Sequence, residues 1–352
     1  GYHAVMMCAA LSTEGYSVVY ITNNIPIFSS DFEYLETHKN INFHLTNNFI
    51  DNLPKFDKLN FLIVIPGLGG DPRFYLNAIN FAKDHEAKLI LLNFESPNWF
   101  NQLSPYPREE KLWDGWNEIV KAGDLVLSST SESNNFAKDY YSKFNSNIKF
   151  DFCYPSINSG IAKKMINKRS NEKRIFMSTR FFLSDHKGAK NITDLFCPEM
   201  EGYKFTLMIG GQGVPEEIKQ HLERSAKKYG IAMDYQLAVS DQRKYELISS
   251  SSLLLFPSFF EGFGYPPVEA LYFGIPCVSF NLPVVRETCS DDVLYAETGN
   301  WEDFKSKIVQ VLSQGEFTTK HFEREKFSIE KYGQNLSTVS YTHLRAHETR
   351  HD

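Results

Sequence analysis

The stretch PSFFEGFGYPPVEALYFGIPCV (257–278) decides how the second half of this chain folds. The apolar run LLLF (253–256) before it predicts a short buried strand that ends at a proline. Glycines then allow a tight turn, and two adjacent prolines suit the first positions of a helix, where a missing N–H costs little. We therefore expect Glu261 on the loop after the strand and Glu269 early in the following helix.

The start of that helix predicts an anion site with unusual neighbours. Free N–H groups and the positive end of the helix dipole at residues 264–268 suit a phosphate. Two carboxylates beside a phosphate would repel it, so they need another partner. Sugar hydroxyls fit, because a carboxylate accepts hydrogen bonds from vicinal diols. The alternative is a Gly/Pro loop that carries two exposed acids without function.

The rest of the chain alternates short apolar strands with helical stretches, which is typical of parallel α/β units. We expect an α/β fold with two doubly wound, Rossmann-like domains. Asp71-Pro72 predicts a helix start, with Asp as N-cap and Pro at the first helical position. The predicted strands lie at 17–22, 61–65, 88–92, near 125, and at 174–179, 204–210, 253–258 and 276–280.

Composition breaks suggest the domain limits. A Pro/Ser/Asn/Gly stretch followed by a basic one predicts a linker at 153–172 between a first domain (1–152) and a second (173–320). The chain opens on a helix where a parallel α/β domain ordinarily opens on a strand, so we expect the first strand of domain one to be missing. Residues 339–352 lack apolar periodicity and resemble translated adapter sequence, so we expect a non-native tail.

Composition also bounds the class of protein. The net charge of −6 without a Lys/Arg block argues against a nucleic-acid partner. The five cysteines form no CxxC pair, which favours reduced thiols over disulfides or zinc. No apolar run approaches the roughly 18 residues of a membrane span. We expect a soluble, cytoplasmic protein.

The opening stretch closely resembles the Glu-x7-Glu signature of GT-B glycosyltransferases of the family 4 (group 1) type, with Glu261 and Glu269 at its two acids. The resemblance implies two domains that face each other across a cleft. It also implies retaining transfer of a sugar from a nucleotide diphosphate, without a required metal or other cofactor. Glu261 would bind donor-sugar hydroxyls, Glu269 the ribose hydroxyls, and backbone N–H groups near Gly264 and Tyr265 the sugar and diphosphate.

Further matches extend the resemblance across most of the chain. STRFFLSDHKG (178–188) is similar to the Arg…Lys-Gly segment of the family, which implies that Arg180 and Lys187 hold the donor diphosphate and act in catalysis. The segment YQLAVSDQRK (235–244) implies that Val239 packs near the base, with Lys244 a looser match near the phosphates. Leu237-Ala238 departs from the glycine usual in that turn.

The match is weaker in the first domain. Gly1 would be the end of a glycine loop at the donor. Phe94 or Glu95 stands at about the place where relatives often carry a histidine near the reacting centre. Glu95 is either a base for the acceptor hydroxyl or an exposed loop acid. Arg73 is a second acceptor-side residue. The segment 321–338 resembles the helix that crosses back to the first domain.

The resemblance implies a nucleotide-sugar donor and leaves the acceptor open among glycan, lipid-linked and protein acceptors, in synthesis of cell-surface polysaccharide or glycoconjugate. Weak membrane association is also left open, without a basic amphipathic helix to support it. Two other functions stay in view. A nicotinamide-dependent oxidoreductase needs Gly-x-Gly-x-x-Gly, and GGQGVP (210–215) lacks the third glycine. A non-catalytic nucleotide-sugar-binding relative would keep the same binding residues.

Overall fold

The computed structural model describes residues 2–26, 32, 35, 37–46, 53–166, 172–181, 186–210, 213–314 and 320–344. The chain divides into two compact units. The first comprises Gly1–Gln102, Pro107–Ser156 and Glu325–Asp352. The second comprises Leu103–Tyr106 and Ile157–Arg324.

The first unit contains two parallel sheets. Strands β1 and β2 pair in one, and the other has the order β3-β4-β5-β6. The elements are α1 (Tyr2–Thr13), β1 (Val18–Thr22), β2 (Ile41–Leu45), β3 (Phe61–Val64), α2 (Pro72–Asp84), β4 (Lys88–Asn93), α3 (Pro97–Leu103), α4 (Asp114–Ala122), β5 (Leu125–Ser128), α5 (Ser131–Tyr141) and β6 (Lys149–Phe152).

The second unit contains one six-stranded parallel sheet with the order β12-β11-β10-β7-β8-β9. Its strands bury apolar residues against flanking helices, and its core includes Ile175, Leu207, Leu255 and Val278. The elements are α6 (Ser159–Ile166), β7 (Arg174–Thr179), β8 (Lys204–Ile209), α7 (Glu216–Lys228), β9 (Ala232–Leu237), α8 (Asp241–Ser249), β10 (Leu253–Phe256), α9 (Tyr265–Tyr272), β11 (Cys277–Phe280), α10 (Pro283–Cys289), β12 (Leu294–Ala296) and α11 (Trp301–Gln314).

The last described helix, α12 (Ile329–Leu344), belongs to the first unit and packs on α1. Helix α1 is buried from His3 to Ser12, so it is covered on every side. The ring of His3 lies 3.0 Å (Nε2 to OH) from the hydroxyl of Tyr332. Burial lowers the pKa of His3 to about 3, so its imidazole is neutral at pH 7. Gly333 lets the two helices approach, because a Cβ there would lie 2.6 Å from the carbonyl oxygen of Ala10.

The variant Gly333→Ala tests this contact. Alanine favours a helix by about 1 kcal/mol over glycine. Its Cβ would meet the backbone of α1, however, and overpacking typically costs about 1–3 kcal/mol. We expect the free energy of unfolding in urea to fall by about 1 kcal/mol. The control is Gln334→Ala at an exposed neighbour, which we expect to stay within about 0.5 kcal/mol of wild type. A more stable Gly333→Ala protein would show that the contact is loose.

The predicted strands that precede and follow the opening stretch are confirmed, as is the predicted start of α2. Asp71 caps α2 by accepting a hydrogen bond from the N–H of Arg73 at 2.9 Å. Helix α6 lies within the segment 153–172, and α12 continues past residue 339 to Leu344, with Val339 buried in the core of the first unit. Across the described ranges, helix length and hydropathy never combine as a bilayer crossing requires.

Candidate active site

The strand order of the second unit creates a switch point beside β7. Strands β8 and β9 follow on one side of β7, whereas β10, β11 and β12 lie on the other. The loops after β7 and β10 therefore leave neighbouring strands in opposite directions at the carboxyl edge of the sheet. Ligands of open parallel sheets bind at such a point. These two loops carry Lys187 and Glu261.

Lys187 and Glu261 form an ion pair across the switch point. The ammonium of Lys187 contacts Oε1 of Glu261. Their side chains are only 18% and 13% exposed, so water screens this pair less than a surface pair. The structure thus brings together two residues that the sequence placed at the same edge, and it adds the direct contact between them.

Backbone contacts hold the two loops together. The carbonyl oxygen of His186 accepts hydrogen bonds from the N–H of Phe259 at 2.7 Å and from the hydroxyl of Ser258 at 3.0 Å. Gly188 follows Lys187 at φ +68°, and a Cβ there would lie 2.5 Å from the carbonyl oxygen of Pro257. Only glycine fits this close approach, which explains a Lys-Gly pair at this position.

The start of α9 presents two backbone amides. Gly264 is the N-cap and has φ +90°, a left-handed conformation that glycine adopts without strain. Because Pro266 and Pro267 carry no N–H, the amide groups at this end of the helix are those of Gly264 and Tyr265. They lie on the loop of Glu261, at the positive end of the helix dipole.

Arg180 is the first residue after β7 and is exposed at the same sheet edge. Its aliphatic stem passes Gly210, the first residue after β8, where an added Cβ would lie 3.4 Å from Cγ of Arg180. The structure therefore places a guanidinium on the strand that also leads to Lys187. Gly1, the other predicted donor residue, lies outside the described residues.

Glu269 lies in a buried charged cluster. Only 2% of Glu269 is exposed, and its Oε1 accepts a hydrogen bond from Nζ of Lys244 at 2.7 Å. Lys244 also pairs with Asp241 at 2.8 Å. Burial raises the pKa of Glu269, and Lys244 opposes that rise. Burial alone would lower the pKa of Lys244, but Asp241 and Glu269 raise it above its ordinary value. Lys244, predicted near the phosphates, thus has two carboxylate partners, a cluster that sequence reasoning missed.

The turn after β9 departs from ordinary backbone geometry at Ala238. Its φ is +44°, in the left-handed region that favours glycine. Leu237 before it is 58% exposed, and Val239 after it is half-buried. The backbone therefore keeps the conformation of a glycine turn although alanine occupies it.

We expect Ala238→Gly to stabilise the protein by about 0.5–1 kcal/mol. The left-handed conformation costs an L-residue roughly 1–2 kcal/mol, which exceeds the extra chain entropy that glycine loses on folding. The control Ala232→Gly lies in β9 of the same sheet, where we expect a loss of about 0.5–1 kcal/mol. Urea midpoints check both. A loss of stability in both variants would contradict the strain at position 238.

The two residues predicted on the acceptor side lie on separate loops of the first unit. Glu95 follows β4 and is paired with Arg108 at 2.9 Å, with side chains 15% and 18% exposed. The guanidinium of Arg108 lies 3.8 Å above the ring of Phe100, which fixes the pair in place. Sequence reasoning missed Arg108. Arg73 is exposed and paired with Asp71 at the start of α2.

A known protein family matches the part of the chain that carries the predicted donor-site residues. Residues 160–328 match the family described as glycosyl transferases group 1. The matched range contains Arg180, Lys187, Glu261 and Glu269. The region 160–328, just under half of the chain, is therefore similar to this family.

Individual curated relatives match over shorter stretches. Alpha-1,3/1,6-mannosyltransferase ALG2 of Dictyostelium discoideum is 25% identical over 138 residues, 36% of this chain and 33% of that protein. O-antigen chain mannosyltransferase B of Escherichia coli is 29% identical over 111 residues, 31% of this chain and 29% of that protein. The chain thus spans about a third of the length of these curated relatives.

Solved structures confirm the fold class. The crystal structure of Anabaena Alr3699/HepE in complex with UDP and glucose matches with a TM-score of 0.65 and 12% identity, covering 96% of each chain. This likeness confirms the predicted α/β fold of the GT-B type, with parallel sheets in both units of the chain.

Proposed function

We propose that this chain is a retaining, metal-independent glycosyltransferase that moves a hexose from a nucleoside diphosphate to an acceptor hydroxyl. The observation that carries the proposal is the ion pair of Lys187 with Glu261 at the switch point of the second sheet. Arg180 and the amides of Gly264 and Tyr265 lie on the same two loops. Cations and amides suit a diphosphate, and the carboxylate suits a sugar.

The pairing suggests how the donor is received. A diphosphate brings more negative charge to Lys187 than one carboxylate does, so the donor would compete with Glu261 for the ammonium. Glu261 would then accept hydrogen bonds from the donor-sugar hydroxyls and face the anomeric carbon. Its negative charge would stabilise positive charge on that carbon.

The transfer step needs charge stabilisation more than a protein nucleophile. The bond between the anomeric carbon and the phosphate oxygen breaks, with its electrons going to the diphosphate. The acceptor oxygen bonds the same carbon on the same face, and its proton passes to the departing phosphate oxygen. Arg180 and Lys187 neutralise charge that grows on the diphosphate, as placed charges in active sites do. These two side chains would supply the positive charge that a metal ion supplies to the diphosphate in metal-dependent enzymes.

The nucleoside would be held by the remaining second-unit residues. Glu269 would accept hydrogen bonds from the ribose hydroxyls, and Val239 would pack near the base. The sugar is proposed as a hexose, with mannose first, because the curated relatives are named mannosyltransferases. UDP is the first nucleotide to test, since Anabaena HepE was crystallised with UDP.

The acceptor side is proposed on the first unit. Glu95, fixed by Arg108, would accept a hydrogen bond from an acceptor hydroxyl and orient it, and Arg73 would contact the acceptor. The E. coli relative is named for the O-antigen chain, which favours a sugar-containing or lipid-linked acceptor in polysaccharide synthesis, with weak membrane association at most. We place the enzyme in the cytoplasm, because its five cysteines are all buried free thiols, which suits a reducing compartment.

Calorimetric titration of UDP, GDP, ADP and NAD⁺ into the whole chain tests the donor site. We expect one nucleoside diphosphate to bind and the double variant Arg180→Ala/Lys187→Ala to lose at least about a hundredfold in affinity, because it removes two charge-assisted contacts. The control pair Lys305→Ala/Lys307→Ala removes two surface lysines of α11 and should bind as wild type does.

Two results would contradict the proposal. Binding of NAD⁺ alone would favour an oxidoreductase. Equal nucleotide binding by wild type and by the Arg180→Ala/Lys187→Ala variant would place the diphosphate elsewhere.

A further inference from the structure

Lys244 is a buried cation whose partners come from two helices. Only 9% of Lys244 is exposed, and its Nζ lies 2.7 Å from Oε1 of Glu269 on α9 and 2.8 Å from Oδ1 of Asp241 on its own helix α8. With both carboxylates ionised, this cluster holds two negative charges and one positive charge. Lysines are almost never this deeply buried unless they are paired.

Neighbouring groups fix the geometry of the cluster. The side-chain amide of Asn158 donates to Oδ2 of Asp241 at 3.2 Å, and the backbone N–H of Asn158 donates to the hydroxyl of Tyr245 at 3.0 Å. Tyr245 in turn hydrogen-bonds Glu269. The carboxylate of Glu269 is therefore oriented by Lys244 and Tyr245 together.

Stability alone does not explain a lysine at this position. Replacing buried ion pairs by apolar residues of similar volume is often neutral or stabilising, because desolvation offsets the attraction between the charges. A methionine or leucine would fill the same space. A lysine in its place favours a role in setting the position of its carboxylate partner.

The Glu269 carboxylate has more hydrogen-bond acceptor sites than its two protein partners use. An ionised carboxylate has about four acceptor sites, so Lys244 and Tyr245 leave capacity for hydroxyl groups of a ligand. A carboxylate held in one orientation binds a vicinal diol without first losing its own rotational freedom. The cluster lies on α8 and α9. Helix α8 follows the turn at Ala238, beside Val239 that is predicted near the base, and α9 follows the loop of Glu261.

We propose that Lys244 is a positioning residue that holds the Glu269 carboxylate for the two ribose hydroxyls of the donor nucleotide. The inference rests on the proposed function and deepens it. Asp241 shares the ammonium of Lys244 and is not needed for this task. Lys244 therefore affects ribose binding only through Glu269, whereas Arg180 and Lys187 bind the diphosphate.

The test compares UDP with 2′,3′-dideoxy-UDP, or GDP with its dideoxy analogue if wild type prefers GDP. The measured quantity is the ratio of the two dissociation constants. We expect wild type to bind the dideoxy nucleotide at least about tenfold more weakly, since hydrogen bonds to a charged group are lost. In Lys244→Met the ratio should fall close to one, while the affinity for the dideoxy nucleotide stays within about twofold of wild type.

Two matched variants accompany Lys244→Met. Arg243→Met removes a neighbouring cation whose side chain is 48% exposed, and it should keep the wild-type ratio. Asp241→Asn removes an ion pair from the same buried cluster but leaves Lys244 to Glu269, so it should also keep the ratio. Circular dichroism checks that Lys244→Met is folded. If it is not, Lys244→Gln replaces it, and Asp241→Asn still shows whether the ratio depends on Lys244 or on the cluster as a whole.

Each remaining outcome overturns the inference in a distinct way. A wild-type ratio in folded Lys244→Met or Lys244→Gln would leave Lys244 with a structural role only. A ratio close to one in Asp241→Asn would show that discrimination depends on the whole cluster and not on Lys244 in particular. If wild type binds both nucleotides equally and binding still depends on Arg180 and Lys187, the proposed ribose role is wrong. The proposed diphosphate site would then still be supported. Absence of any nucleotide binding would remove the proposed function itself.

Discussion

Parallel strands direct all their carboxyl ends to one edge of the sheet, and this constraint decides which side chains of the second unit meet. The chain winds from β7 through β8 to β9, then places β10 on the opposite side of β7. Lys187 and Glu261 are 74 residues apart in sequence, yet they pair because their strands are neighbours. The remaining donor-site proposals depend on this pairing, since Arg180 and the start of α9 belong to the same two loops.

Glycines then set how closely the loops approach, and one strained alanine shapes the turn after β9. Gly188 fits beneath the carbonyl of Pro257, and Gly264 begins α9 from a left-handed conformation. The carbonyl of His186 ties the two loops through backbone and hydroxyl hydrogen bonds. Ala238 keeps a glycine-like turn at some cost in stability, a pattern common where backbone geometry serves a binding site.

Local rules predicted the elements of the site well. The apolar run at 253–256, the Gly/Pro turn and the Asp71-Pro72 start each depend on a few adjacent residues, and the structure confirms all three. Strand β9 was harder to predict from its apolar content, because its half-buried face carries Asp234, which pairs with Arg174 of β7. The sequence does not predict the partners of Glu269 and Glu95, because tertiary packing determines them. The packing of α8 on α9 brings Lys244 to Glu269, and the packing of one loop on another brings Arg108 to Glu95.

In the proposed mechanism Glu261 serves the transfer step, whereas Arg180 and Lys187 serve nucleotide binding. The most direct test of this division of roles is Glu261→Gln, with release of nucleoside diphosphate from the preferred nucleotide sugar measured beside calorimetric binding of that nucleotide. We expect turnover to fall by at least about a hundredfold, with nucleotide affinity within about threefold of wild type. The control Glu302→Gln, at a side chain that is 86% exposed, should behave as wild type. Unchanged turnover in Glu261→Gln, or no turnover in wild type despite nucleotide binding, would contradict the claim and favour a chain that binds nucleotide sugars without transferring them.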